Sequence, residues 1–407
     1  MSPHPGFLKL DLAIRGASLD ASLSKRNDLV RAPAVRTPAS RSIEIVLPGD
    51  VLVSAPIGEA VAADSPYTLL QDNERYYLAA DDERAEVRIV AAPSYYTKKT
   101  RSGIPMWRIG NSYGPYIAIN PASRCGFSAK GSECKFCDAS TQGVGRDEPI
   151  PVEDVVDTVR AAFADGAIEF VYLHIGYVDS EDSGVRFIEP YVRAIKRHFD
   201  TLVAVQLHPP RDDRWIDYTY AIGVDAISYS IEIHNEEILE KVCSGRVELV
   251  GRQRYYDALT HAAQVFPNGT VWSDLILGLE PTESTIEGVD ALVAIGVLPV
   301  LSLFRPLSDT DLRDHPMPNA VDVAPVFAHL FDRVSSAGIN MNWVRDLSFA
   351  VTPFEARFFS GAAAAAPGGL GTLYRSKLGN LAIRNLSRLR RRLRVRQVSD
   401  SYGSSNL

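Results

Sequence analysis

Cysteine is scarce in this chain, with four residues in 407. That excludes a disulfide framework as the basis of the fold. No apolar run reaches the roughly 18 residues that a membrane-spanning helix needs, so no span is expected. The first residues lack the apolar stretch and small-residue cleavage pattern of a secretory leader, and a cytoplasmic protein is expected. Positive charge is not in excess either. Acidic residues outnumber basic ones, 50 to 43, for a formal net charge of -7, which argues against a general nucleic-acid binder. What is present is an ordinary globular balance, long enough for one large domain and a smaller one.

Three of the four cysteines fall in one stretch, Arg124 to Ser140 (RCGFSAKGSECKFCDAS). Cys125, Cys134 and Cys137 are spaced C-x8-C-x2-C, with Phe136 before the last. Three thiolates on one loop hold three irons of a [4Fe–4S] cluster and leave the fourth iron open to a small molecule. A structural zinc site wants a fourth ligand close by, and the loop contains none. The competing reading is a zinc-binding structural or partner-binding protein in which a distant histidine completes a Cys3His site. Tyr116–Asn120, just upstream, reads as a short apolar strand. The cysteines would then follow a strand's end, where α/β barrels place their chemistry. Cys243 stands alone in Lys-Val-Cys-Ser-Gly and reads as a buried, inert thiol.

Residues 1–42, rich in Ser, Pro, Ala and Arg, read as a poorly ordered arm with at most one short helix. Residues 43–115 read as a small β-rich domain, with β-prone runs at 42–47, 51–54, 76–79 and 85–91 between Gly, Pro and Asp turns. From 116 to 340 strands and helices alternate. Strands are expected at 116–120, 169–175, 202–207, 226–231, 271–277 and 298–304. Helices are expected at 152–164, 187–199, 215–222, 236–242, 255–265, 285–295 and 323–337. Apolar strands buried on both faces imply a parallel sheet. The expected fold class is α/β: a partial (β/α)6 TIM-like barrel with a small N-terminal β-rich domain and a C-terminal helical extension. That extension, 341–407, holds a low-complexity stretch, 361–369. It also holds a basic amphipathic pattern at 381–396, where Leu381, Leu386, Leu389 and Leu393 share a face.

A strand followed by three cysteines ending in Cys-x-Phe-Cys resembles the cluster loop of radical S-adenosylmethionine (radical SAM) enzymes, whose most frequent spacing is C-x3-C-x2-C. The resemblance implies a [4Fe–4S] cluster on Cys125, Cys134 and Cys137, beside Phe136, and S-adenosylmethionine as second cofactor. Ser230-Ile-Glu232 resembles the Ser-x-Glu motif of the branch that includes biotin synthase-like and [FeFe]-hydrogenase maturation enzymes. There the glutamate holds polar groups of S-adenosylmethionine. Arg252 stands where that branch has an arginine on the cofactor's carboxylate, a task that suits a planar fork. Ile276-Leu-Gly-Leu-Glu280 resembles part of the family's Gly-x-Ile-x-Gly-x-x-Glu element. Its first glycine is missing, and its glutamate follows Gly278 by two positions. Gly278 would let the backbone approach a flat ring; Leu303 or Phe304 would stack near the adenine. Glu280 has a structural alternative. After strand two the family often has Gly-Gly-Glu, where this chain has only Gly176. His174 and His208, near strand ends, read as core or supporting residues.

The resemblance further implies a small-molecule substrate and an electron donor such as flavodoxin or ferredoxin. No later cysteine cluster suggests an auxiliary iron–sulfur centre, and no cobalamin-binding pattern stands before the barrel. The substrate and the catalytic residues that act on it are not legible in the sequence.

Overall fold

Alternation of buried aliphatic residues along short segments drives the architecture. The computed structural model describes residues 5–26, 42–57, 62, 64–122, 124–137, 148–166, 168–307, 310–341, 344 and 351–361. Among these residues the larger sheet has seven strands. Six are parallel: β8 (Tyr116–Ile119), β9 (Phe170–His174), β10 (Leu202–Gln206), β11 (Ala226–Ser228), β12 (Val271–Leu277) and β13 (Leu298–Leu303). β7 (Gly110–Tyr113) is added antiparallel beside β8. Val171 and Leu173, Val203 and Val205, and Leu275 and Leu277 point to the outer face and are fully buried. The opposite positions, among them Tyr172, Gln206 and Asp274, face the inside of the curved sheet. Pro299 lies on β13, the sheet's edge, where a missing N–H does least harm.

The helices expected between these strands all form, with ends displaced by up to three residues. The one at Val152–Ala164 opens with Glu153 and Asp154, which suit its positive end. Asn235 and Asn319 cap the helices Glu236–Val242 and Ala320–Ser336 by accepting from Ile238 N and Val321 N.

The smaller sheet differs from expectation in extent. Its order is β1-β4-β5-β6-β2-β3. β2 (Ser42–Leu47), β3 (Val51–Pro56), β5 (Arg75–Ala80) and β6 (Glu83–Val90) coincide with the β-prone runs, while β4 (Thr68–Asp72) and β1 (Ser18–Leu19) were not foreseen. Residues 94–115 belong with the barrel: β7 pairs with β8, and Tyr95, Tyr96, Met106 and Ile109 join the barrel core.

The expected N-terminal arm is instead built into the structure over its described part. α1 (Pro5–Arg15) places Leu8 and Leu12 in the small core, and Leu10 and Ile14 in the barrel core. Spacings of four residues put each pair on one face, so α1 is a wedge between two cores. Lys9, completely buried, bonds Glu355 at 2.7 Å. Residues 381–396, where the basic helix is expected, lie outside the described residues.

Candidate active site at the mouth of the barrel

The cysteine loop leaves the end of β8 and lies against the loop after β9. Cys125 starts one short turn of helix, α2 (Gly126–Ala129). Its Sγ accepts from Tyr177 N at 3.3 Å, and Gly126 N donates to Tyr177 O at 2.6 Å. Gly176 makes this approach possible, since a Cβ there would stand 2.6 Å from Cys125 Cβ and 2.8 Å from its Sγ. Phe127 fills the space beneath. Its ring stacks on Tyr177 at 4.4 Å and meets His208 edge-on at 4.8 Å.

Cys134 is buried against the helices that follow β11, and Lys135 N donates to Val242 O at 2.9 Å. The Cys134 thiol is lowered to about 6, first by a hydrogen bond from Cys243 and then by the Arg246 charge, against the opposing effect of burial. Cys243 is wholly buried, as expected, but it touches the proposed ligand set; that hydrogen bond and burial push its own thiol well above the ordinary range. Phe136 and Cys137 border the same apolar cluster, which contains Ile276, Leu279 and Phe304. Cys137 N bonds back to Cys134 O at 3.0 Å.

Beyond β11 the chain breaks its strand conformation at Glu232, a non-glycine residue with φ of 65°. The backbone still pairs with β12, through Glu232 N to Asp274 O at 2.9 Å and Ile276 N to Glu232 O at 2.8 Å. A left-handed glutamate held this way is a strained residue at a strand end, which is where site residues collect. Burial pushes the Glu232 carboxyl up to about 8, opposed by Arg246. Arg246 was not foreseen. Its Nη2 bonds Glu232 Oε1 at 2.9 Å, its Nη1 donates to Ser230 O, and its Nε is buried with no hydrogen-bond partner among the described residues. It sits on the short helix Ser244–Leu249, fourteen residues from Glu232, a separation with no periodic signal.

The other expected residues divide. Arg252 pairs Glu236 at 3.0 Å, donates to His234 O at 3.1 Å and lies over the Tyr256 ring, and its Nε too is buried without a partner among the described residues. The Ser230 hydroxyl is bonded to Gln206 and Asp274. Gly278 has φ of 100°, and a Cβ on it would meet Pro318 Cδ at 2.9 Å; turn geometry and packing are enough to require the glycine. Phe304 is buried, with His315 edge-on at 5.2 Å. Leu303, beside it, is half-buried against both cores. Glu280 takes the structural alternative, accepting from His234 N at 3.0 Å, Asn235 N at 2.7 Å and Thr285 Oγ1 at 3.1 Å. His208 is a buried supporting residue that shares a 2.7 Å hydrogen bond with Tyr255 OH. His174 is half-buried beside Tyr172.

Residues 119–293, from the end of β8 through the helix after β12, match the family model described as the radical SAM superfamily. That stretch is a radical SAM domain. Among relatives of this radical SAM enzyme, bacteriochlorophyllide c C-7(1)-hydroxylase of Chlorobaculum limnaeum is 24% identical over 119 residues. That stretch is 29% of this chain and 30% of the hydroxylase, so the chain spans under a third of the curated relative it matches. Of solved structures, methylornithine synthase (PylB) is 16% identical over 54% of this chain and 63% of its own, with a TM-score of 0.42. SuiB of Streptococcus suis, bound to S-adenosylmethionine, is 13% identical over 56% of this chain and 50% of its own, with a TM-score of 0.41.

The donor set of this radical SAM chain fits an iron–sulfur cluster in chemistry. It offers three thiols on one loop, one of them acid-shifted, and a glycine cradle behind the first. The array is not drawn together: among the described residues no three Cys, His, Asp or Glu side chains stand at metal-ligand spacing.

Proposed function

We propose that Cys125, Cys134 and Cys137 hold a [4Fe–4S] cluster and that S-adenosylmethionine lies beside it, bordered by Phe136, Ser230, Glu232, Arg252, Gly278 and Phe304. When bound, the cluster supplies the electron that cleaves S-adenosylmethionine to methionine and a 5′-deoxyadenosyl radical, which takes a hydrogen atom from a small-molecule substrate. The observation that carries this reading is the joint placement of the cysteine loop and the Ser230–Glu232 strand end at one barrel mouth. Glu232 offers a carboxylate to ribose hydroxyls or an ammonium. Arg246 holds that carboxylate in place, and Arg252 offers a guanidinium edge to a carboxylate. Phe127, Tyr177, Ile276, Leu279 and Phe304 keep water from the reacting groups. The motif Ser-x-Glu supports placement in the biotin synthase and hydrogenase-maturation branch. An electron donor such as flavodoxin or ferredoxin, and a cytoplasmic setting, complete the reading. Hydroxylation, the reaction named for the bacteriochlorophyllide relative, is one outcome open to product analysis.

Anaerobic reconstitution tests the proposal. The expected result is about four irons per chain, 5′-deoxyadenosine formed under dithionite, and loss of iron on Cys125→Ala, Cys134→Ala or Cys137→Ala but not on Cys243→Ala. One zinc per chain and no 5′-deoxyadenosine would overturn it in favour of the zinc reading.

A further inference from the structure

Below the mouth, the inner face of the sheet carries polar groups that, Ser230 apart, the cofactor reading does not use. Tyr172 on β9, Gln206 on β10, Ser230 just past β11 and Asp274 on β12 form a staggered rung, joined by hydrogen bonds, across four neighbouring strands. Tyr172 OH donates to Gln206 Oε1 at 2.5 Å, Gln206 Nε2 donates to Ser230 Oγ at 2.7 Å, and Ser230 Oγ donates to Asp274 Oδ2 at 2.5 Å. The Trp272 side chain also donates to Asp274, and the Trp272 ring stands 6.0 Å from that of Tyr172. Tyr172, Gln206 and Asp274 are only half-buried, while the outward residues next to them, Leu173, Val205 and Leu275, are wholly buried. Inward residues at mid-sheet have only the enclosed barrel space to be exposed to, so the rung lines that lumen.

Asp274 has no cation in direct contact among the described residues. Its side-chain donors, Ser230 and Trp272, are both neutral. No Lys, Arg or His forms an ion pair with it among the described residues; the Arg246 charge favours its ionised form from a distance, but the guanidinium itself is bonded to Glu232 and Ser230 O. Burial raises its carboxyl above the ordinary range, against the Ser230 and Trp272 hydrogen bonds and the Arg246 charge. An enclosed carboxylate with only neutral donors is costly unless a cation reaches it. The flanking aromatic rings of Tyr172 and Trp272 favour a cation as well as an apolar body.

We propose that the lumen receives a small molecule bearing a protonated amine, with its ammonium on Asp274 and its apolar part against Tyr172 and Trp272. This names the substrate class for the radical SAM reading above and rests on it.

Reconstituted holoenzyme with S-adenosylmethionine, titrated calorimetrically with phenethylamine and with its neutral counterpart 2-phenylethanol, tests the assignment. The amine should bind at least about ten-fold tighter. Asp274→Asn should reduce that preference to less than about two-fold, and Tyr172→Phe, which removes a hydrogen bond and no charge, should keep it. Equal binding of the two probes by the wild type, or no binding of either, overturns the proposal without any variant. A preference that survives Asp274→Asn overturns it too. Measuring 5′-deoxyadenosine in the same preparation separates the two readings. Its formation with equal probe binding sinks the lumen assignment alone; its absence with the amine preference intact sinks the cofactor reading alone.

Discussion

Gly176 is the residue on which the cysteine loop closes. A Cβ there would press on Cys125 from 2.6 Å to 2.8 Å, and backbone as well as side chain is in the way. Gly176→Ala should cost about 1–3 kcal/mol, typical of overpacking, and lower the iron retained after reconstitution. Gly361→Ala, where an added Cβ meets nothing, should do neither. Urea unfolding and iron analysis of both variants decide it, and equal behaviour would remove the cradle from the argument. His208 gives a pH signature. Burial, with the Arg246 charge adding to it, holds its pKa well below 6.5. Above pH 6.5 the ring is neutral whether the chain is folded or not, and nothing is lost. As pH falls below 6.5 the unfolded chain takes up a proton that the folded chain refuses, so stability drops. The slope attributable to His208 is at most about 1.4 kcal/mol per pH unit. Denaturant midpoints between about pH 7 and 5 should fall for the wild type and flatten for His208→Gln; parallel curves would exclude His208 as the source.

Among the elements, the strands and helices of the barrel were legible because their signals are local. Val152–Ala164 carries a 3.6-residue apolar stripe, and the interior strands are short aliphatic runs between turn residues. The junction after β11 was not legible. It is held by Glu280, which reaches from the end of β12 to two backbone amides of the 234–235 turn. Glu280→Ala leaves those amides and the Thr285 hydroxyl without an acceptor. The cost should be about 1–3 kcal/mol for each buried group left unpaired, and Glu280→Gln should restore part of it. Thermal unfolding of both variants reads the effect, and wild-type stability in Glu280→Ala would show that the turn holds itself.

For the whole molecule, the tie between chain regions is α1 with its buried ion pair. Lys9 and Glu355 are 346 residues apart, and their side chains are 0% and 7% exposed. Lys9→Met removes one partner and strands a buried carboxylate, at an expected cost of about 3–5 kcal/mol. The double variant Lys9→Met/Glu355→Leu should recover most of the loss, because no charge is then left unpaired. Equilibrium unfolding of the single and double variants measures this; a single variant as stable as the wild type would show that the pair holds nothing. The sequence alone determined the six-strand alternation, the cysteine loop and the Ser230–Glu232 strand end. Each of these is written within a few neighbouring residues, where periodicity and spacing have a fixed physical meaning. Tertiary structure alone decided that α1 is a wedge between two cores, that residues 94–115 belong with the barrel and that Arg246 is the cation on Glu232. It likewise gathered Tyr172, Gln206, Ser230 and Asp274 into one rung. In the sequence Asp274 is one charge inside the apolar run Val271–Leu277. Such contacts join residues far apart in the chain, and side-chain partners across strands follow from sheet register and curvature, which no local pattern encodes.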